Sequence, residues 1–159
     1  MTFIFQIIFV AALLVIFFTD FEQQVIPDSV SVSGILFGLA YGCSRGINPF
    51  FSALLGAALG FAILYAIGWA GKWWFKKEAM GEGDFFVGAL LGAYLGWERV
   101  LLAIFLSYII AGLLALPLLV FRKVKMGQYV PFGPALVVGG IITLFFGERI
   151  LLWYWGMIR

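Results

Sequence analysis

The fold of this chain is decided by the stretch Gly81-Glu82-Gly83-Asp84, which leads directly into the glycine-rich apolar segment Phe85–Leu95. A second acid, Asp20, ends another apolar segment, Phe3–Phe18. Ionisable side chains are costly near a lipid bilayer, so an acid at the end of a membrane helix is a candidate for function. Two such acids predict a carboxylate pair, and hence acid–base chemistry on a peptide bond.

The composition is that of an integral membrane protein. Of 159 residues, 64% are hydrophobic and only 11% are charged, with a mean hydropathy of +1.10. Soluble domains are about 45–50% apolar and about 25% charged. We therefore predict an all-α membrane protein that forms a single domain over residues 1–159.

Several classes of function are disfavoured by the same composition. A net charge of +2 is too small to indicate a nucleic-acid partner, and the absence of histidine removes the commonest general base and metal ligand. The single cysteine, Cys43, allows neither an intrachain disulfide nor a zinc cluster, and we expect it to be buried as a small hydrophobe. No metal or organic cofactor is expected.

Six segments approach the roughly 20 apolar residues that a membrane helix needs. They are Phe3–Thr19, Ser29–Cys43, Pro49–Gly71, Phe85–Gly96, Arg99–Phe121 and Pro131–Phe146. The first is interpreted as a retained span, because it has no basic n-region and no small-residue cleavage site before Asp20. The aromatic tail Leu151–Ile158 is typical of a membrane interface. A bundle of about six transmembrane helices is the predicted architecture.

Basic residues set the predicted orientation, because cytoplasmic loops carry an excess of lysine and arginine. Two clusters follow the third and fifth segments: Lys72, Lys76 and Lys77, then Arg122, Lys123 and Lys125. If both clusters are cytoplasmic, the N-terminus lies outside. Asp20 and Asp84 then lie together on the cytoplasmic side, a result that does not depend on the idea of an acid pair.

Glycines recur every four residues in three of the apolar segments. They are Gly34, Gly38 and Gly42; Gly56 and Gly60; Gly88, Gly92 and Gly96. Residues four apart share one helix face, and small residues there allow close helix packing in lipid. Close helices can hold Asp20 and Asp84 within reach of one shared water.

A carboxylate pair hydrolyses a peptide bond when one member is ionised and the other protonated, and two neighbouring carboxylates cannot both ionise easily. Gly81 and Gly83 suit a tight loop that approaches substrate closely. A structural alternative remains open for each acid. Asp84 can be a helix cap, and Asp20 can be a charge at the membrane boundary.

The segment after Asp20 contains two more acids, Glu22 and Asp28, around Pro27. Pro27 ends any helix before it, and Asp28 or Ser29 can cap the next helix. Three acids in nine residues would also attract a basic substrate segment.

Three blocks of sequence resemble the type IV prepilin peptidases, which are GxGD membrane aspartyl proteases. The blocks are Asp20 with Ile26-Pro27-Asp28, then Gly81-Glu82-Gly83-Asp84, then Val130-Pro131-Phe132-Gly133-Pro134. The resemblance implies that Asp20 and Asp84 are the catalytic pair and that Pro131–Pro134 lies near the active site, as an irregular entrance to the last span. It further implies cleavage of the basic leader from a prepilin or pseudopilin, at the cytoplasmic face of the bacterial inner membrane.

Two features depart from larger members of that family. Those members carry a cytoplasmic domain with paired cysteines that is linked to N-methylation, whereas this sequence has one cysteine. We therefore expect peptidase activity without methyltransferase activity, in either a short natural form or a core fragment. Glu82 occupies a position that is often apolar, and we expect it to be solvated.

Two alternatives belong to other classes of protein. Acids within a membrane also mark ion-coupled transporters, although these acids lie at one face and no inverted repeat is visible. A non-catalytic pilus-assembly subunit would use the same acids only as caps. The particular pilin, the oligomeric state and the choice among pilus, secretion and DNA-uptake systems are left open.

Overall fold

The computed structural model describes residues 3–76, 80–120 and 132–158, which form six α-helices and contain no strand. The helices are α1 (Phe3–Gln23), α2 (Asp28–Ser44), α3 (Ile47–Phe75), α4 (Glu82–Leu95), α5 (Trp97–Val120) and α6 (Gly133–Ile158). The predicted all-α bundle of about six helices is confirmed.

Four helices are long and apolar enough to cross a bilayer: α1, α3, α5 and α6. The other two are shorter, with 17 residues in α2 and 14 in α4. Large apolar side chains cover the outside of the bundle, among them Trp73, Phe105 and Trp153. Such a surface is stable in lipid rather than in water, so the chain is a multi-pass membrane protein.

The last helix differs from its predicted bounds. It begins at Gly133 and continues beyond Phe146 to Ile158, so it includes the segment Leu151–Ile158 that was predicted to be an interfacial tail. Pro134 therefore lies in the first helical turn, where its missing N–H is not needed. The prediction of an irregular backbone across Pro131–Pro134 is wrong for the second half of that block, and Pro131 lies outside the described residues.

The shortest helix, α4, lies at the centre of the bundle and packs against α2, α3, α5 and α6. Ten of its residues are buried, and every residue from Val87 to Leu95 is among them. Its glycines and alanines let four neighbours approach closely, whereas bulky side chains would hold them apart. The residues that follow Asp84 therefore form the core of the protein.

A close backbone approach joins α4 to α3 through facing glycines, in line with the close helix packing expected from the glycine spacing. Gly92 lies against the backbone of Gly56, and Gly88 lies against the backbone of Gly60. A Cβ atom on any of these four residues would collide with the carbonyl group of its partner. No side-chain movement can relieve such a clash, because the obstacle is backbone.

We expect Gly92→Ala to reduce the free energy of unfolding by about 1–3 kcal/mol, the usual cost of overpacking a core. The matched control is Gly112→Ala on α5, where an added Cβ meets nothing within 4 Å. Thermal unfolding in detergent measures both variants. Equal midpoints for the two variants would contradict the close α3–α4 contact.

Cys43 is exposed on the outer face of α2, so the expectation that it is buried is wrong. The buried face of this helix is formed by Ser31, Gly34, Gly38, Tyr41 and Gly42. Cys43 follows Gly42, and each successive residue of an α-helix is rotated by about 100° around the helix axis. Its side chain therefore points away from the buried face. In a bilayer, the outer face contacts lipid, where a small apolar side chain is still acceptable.

Candidate active site

Asp20 lies on the face of α1 that packs into the bundle. The buried residues of this helix are Phe9, Leu13, Ile16 and Asp20, which are separated by four, three and four positions and therefore share one face. Asp20 as a whole residue is only 1% exposed. The apolar stripe that anchors α1 thus also carries the acid into the interior.

Asp84 lies inside the first turn of α4 and is fully buried. The Gly81 N–H donates to Oδ2 of Asp84 at 3.1 Å, while the Asp84 N–H donates to the Gly81 carbonyl at 3.1 Å. The bond from the Gly81 N–H to the Asp84 carboxylate is the N3 half of a capping box, and the backbone carbonyl of Gly81 takes the place of the side chain that glycine lacks. The helix begins at Glu82, so Asp84 caps from within the helix, not from the position before it.

The second carboxylate oxygen of Asp84 is not needed for capping. Oδ1 is buried, and no hydrogen-bond partner for it exists among the described residues. The capping alternative and the catalytic hypothesis are therefore compatible. One oxygen holds the helix start, and the other is available for chemistry.

The third element of the site is the N-terminus of α6. The Gly133 N–H donates to Oδ2 of Asp20 at 3.0 Å across 113 residues of chain. The first N–H groups of a helix have no partner within the helix, and they favour a negative charge. The Phe132-Gly133 part of the third sequence block thus lies at the site and holds Asp20.

The two acids lie close enough to interact electrostatically. Asp84 lies directly before the apolar segment Phe85–Leu95, and its helix α4 is not among the four described helices that are long enough to span a membrane. Burial, and then the charge of Asp20, raise the pKa of Asp84 to about 7, against the opposing effect of the Gly81 N–H. A pair of this kind holds one proton between two carboxyl groups near neutral pH.

The other predicted site residues surround the acid pair. Glu22, Asp28 and Glu82 are exposed, as expected for a solvated Glu82. Gly83 packs against Ile26, where an added Cβ would lie 2.7 Å from the Ile26 Cβ, so the Ile-Pro-Asp block contacts the start of α4.

Pro27 is half-buried and occupies the N-cap position of α2, which has no side-chain cap hydrogen bond. The expectation that Asp28 or Ser29 caps this helix is therefore wrong. The proline forces an extended backbone before the helix start, and Asp28 becomes the first helical residue.

Tyr108 on α5 is a site residue that the sequence analysis missed. Its ring lies 4.8 Å from that of Phe132, its hydroxyl is buried without a partner among the described residues, and the charge of Asp84 acts on it. A signal did exist. Gly96 lies between α4 and α5, which run antiparallel. Asp84 lies twelve residues before Gly96 and Tyr108 lies twelve residues after it, so the two residues are at the same depth in the bundle.

This arrangement can activate water. An ionised carboxylate takes a proton from water, and a protonated carboxyl group polarises a carbonyl oxygen. Among the described residues, no group of three or more His, Cys, Asp or Glu side chains is arranged to hold a metal ion. The fold and the acid pair define a class: polytopic helical membrane proteins with two aspartates buried at one end of the bundle.

Residues 7–116 match the model of the type IV leader peptidase family, and the chain belongs to that family. A relative from Pseudomonas putida, named "Prepilin leader peptidase/N-methyltransferase", is 36% identical over 143 residues, which cover 87% of this chain and 48% of the relative. Relatives with the same name from Pseudomonas aeruginosa and Aeromonas hydrophila are 41% and 38% identical over 86 residues, which cover 52% of this chain and 30% of each relative.

The chain thus spans between about a third and a half of the length of these curated relatives. No solved structure matches this chain.

Proposed function

We propose that this protein is a membrane aspartyl endopeptidase that removes the basic leader from type IV prepilins or pseudopilins. One observation carries the proposal. Two buried aspartates on different helices lie within electrostatic range of each other, and each has one oxygen held by a backbone N–H, from Gly133 to Asp20 and from Gly81 to Asp84. Membership of the type IV leader peptidase family and the names of the relatives support it.

The proposed reaction is hydrolysis by water held between the two carboxyl groups. The ionised aspartate takes one proton from water as its oxygen attacks the scissile carbonyl carbon, and the protonated aspartate donates its proton to the carbonyl oxygen. The tetrahedral intermediate then collapses as the proton gained from water passes to the leaving nitrogen, and a hydroxyl of the intermediate returns a proton to the other aspartate. One water is consumed, and the pair again holds one proton.

Substrate recognition is assigned to the surface around the acid pair. The exposed acids Glu22, Asp28 and Glu82 would attract a basic leader, while lipid and the apolar outer helices would accept the helix that follows it. Gly81 and Gly83 leave room for the backbone of the substrate beside Asp84. The proposed location is the bacterial inner membrane, with the N-terminus outside and this surface facing the cytoplasm.

Methyl transfer is not part of the proposal. The names of the relatives include an N-methyltransferase, but the residues that match this chain cover half or less of each relative. The 159 residues contain one cysteine, so the paired cysteines expected for that activity are not in this sequence.

We expect cleavage to decline as the pH rises through about 7. Burial and the charge of Asp20 raise the pKa of Asp84 to about 7, so Asp84 keeps its proton below that pH and loses it above. Well above it, kcat/KM should fall roughly tenfold per pH unit. The substrate should carry an acetylated N-terminus, because a free α-amine titrates near 7.7–8.0. A rate that increases from pH 7 to pH 9 would contradict this assignment.

The proposed function is tested by reconstituting the purified protein in lipid vesicles with a prepilin-type substrate. The expected result is a shortened product whose mass corresponds to loss of the leader, cut after glycine. The Pseudomonas putida relative serves as a positive control for the assay. An intact substrate where that relative cleaves it would overturn the proposal, and ion flux across the same vesicles would instead support the transporter.

A further inference from the structure

Two buried polar atoms near the acid pair have no hydrogen-bond partner among the described residues: Oδ1 of Asp84 and the hydroxyl of Tyr108. Their chemistry is complementary, because a carboxylate oxygen accepts hydrogen bonds and a phenol donates one. Buried polar groups are rarely left unpaired, and a persistent exception calls for a functional explanation.

The packing of α5 places Tyr108 beside both halves of the site. Asp84 and Tyr108 lie at one depth on neighbouring antiparallel helices, and the two groups interact electrostatically. The Tyr108 ring packs on Phe132, whose neighbour Gly133 donates to Asp20. Tyr108 therefore contacts the segment that holds one acid while its hydroxyl lies near the other.

We propose that Tyr108 is a positioning residue for the acid pair, and that its hydroxyl donates to Oδ1 of Asp84 directly or through one water when the site binds substrate. This inference rests on the proposed peptidase function. With Oδ2 held by the Gly81 N–H and Oδ1 held by Tyr108, both oxygens of Asp84 have a fixed direction. The carboxyl group then presents its proton to the substrate carbonyl instead of rotating freely.

Other ionisable groups at this end of the bundle define the setting. Asp20 on α1 interacts electrostatically with Asp84. Exposed groups on the surrounding helices are Glu22 on α1, Asp28 on α2, Lys72 on α3 and Glu82 on α4. Tyr65 of α3 packs on Phe85, and the first ionisable residue of α6 is the distant Glu148. On the described part of α5, Tyr108 is the group on which the charge of Asp84 acts.

The direction of the pH effect follows from the donor role. A hydrogen bond donated to a carboxylate favours its ionised form. Without the hydroxyl, Asp84 should keep its proton to higher pH. The alkaline decline in activity of Tyr108→Phe should therefore shift upward by about half to one pH unit, while kcat falls about tenfold or more. KM should change less than twofold, because the proposed partner of the phenol is Asp84 and not the substrate.

Tyr94→Phe is a matched control within the same protein. The Tyr94 hydroxyl is also buried without a partner among the described residues, but it lies ten residues beyond Asp84 on α4, and its ring stacks on Phe9 at 4.5 Å. Ten residues of helix span about 15 Å. Both variants lose one oxygen and keep the ring, so any general effect of removing a buried hydroxyl is common to the two.

The experiment compares wild type, Tyr108→Phe, Tyr94→Phe and Asp84→Asn in one vesicle assay, with kcat and KM measured across pH. The inference is supported if only Tyr108→Phe combines a lower kcat, an unchanged KM and the alkaline shift. Infrared titration of the Asp84 carboxyl stretch, recorded with a bound substrate peptide whose scissile bond cannot be cleaved, should give a pKa shifted in the same direction.

The possible failures are distinguishable. If wild type cleaves, Asp84→Asn does not, and Tyr108→Phe matches Tyr94→Phe in kcat and pH profile, the positioning role is wrong and the peptidase remains. If wild type does not cleave, or Asp84→Asn cleaves normally, the proposed function fails and the inference falls with it.

Discussion

Asp20→Asn and Asp84→Asn are each expected to reduce leader removal by roughly a thousandfold or more, the scale seen when a member of a catalytic unit is removed. Asparagine has nearly the size of aspartate, and its amide oxygen can still accept the N–H of Gly133 or Gly81. The fold should therefore survive. What is lost is the ability to take or give a proton.

The double variant provides a second test of the pair. Residues that act as one catalytic unit are strongly non-additive, so removing both acids should cost little more than removing one. Co-expression with a prepilin and quantification of its processed form, at equal abundance of each variant, measures this.

Variants of two exposed acids provide the matched control for Asp20→Asn and Asp84→Asn. Glu22→Gln and Asp28→Asn each remove a carboxylate from the surrounding surface, so each should change KM by a few fold at most. If Asp20→Asn or Asp84→Asn processes the substrate normally, or if Asp28→Asn is as damaging as either, the two buried acids are not the catalytic pair.

Gly133→Ala is expected to reduce cleavage by roughly a hundredfold, the cost of misplacing a catalytic group by a fraction of an ångström to one ångström. An added Cβ would lie 2.5 Å from Oδ2 of Asp20 and 3.0 Å from its Cγ. The backbone N–H that holds Asp20 is still present in alanine, so only the methyl group changes the site. The Asp20 carboxyl group must shift to make room.

The helix itself should tolerate Gly133→Ala. Gly133 is not among the described residues with positive φ, and alanine favours a helix over glycine by up to about 1 kcal/mol. A lower rate with unchanged thermal stability is therefore the expected signature. Gly112→Ala is again the control, and equal activity of the two variants would show that Asp20 is not held where the structure places it.

The positions of the helices and of both acids follow from the sequence because their physical signals are strong. Long apolar segments have few stable alternatives in a membrane, and a charge at the end of such a segment is too costly to lie there by chance. The glycine spacing likewise predicts close helix packing, and in the structure Gly56 and Gly92 are where backbone meets backbone.

The features that were missed depend on tertiary contacts. Tyr108 looks like one more aromatic residue in an apolar helix, and its importance comes only from the register of α5 against α4. The hydrogen bond from Gly133 uses a backbone N–H, which every residue except proline has, so residue type cannot single it out. Cys43 was misplaced because apolar residues face outward as well as inward in a membrane protein.

The brevity of α4 has a consequence for how the protein meets the bilayer. Fourteen residues rise about 21 Å, well short of a hydrocarbon core about 30 Å thick. A lipid-facing helix of that length would have to thin the bilayer around it, at the cost of hydrophobic mismatch. Four other helices surround α4, and three of them, α3, α5 and α6, are long enough to match the bilayer in its place. Asp84 lies at one end of this short helix. It can therefore be buried deeper than the lipid headgroups without any thinning of the bilayer around the protein.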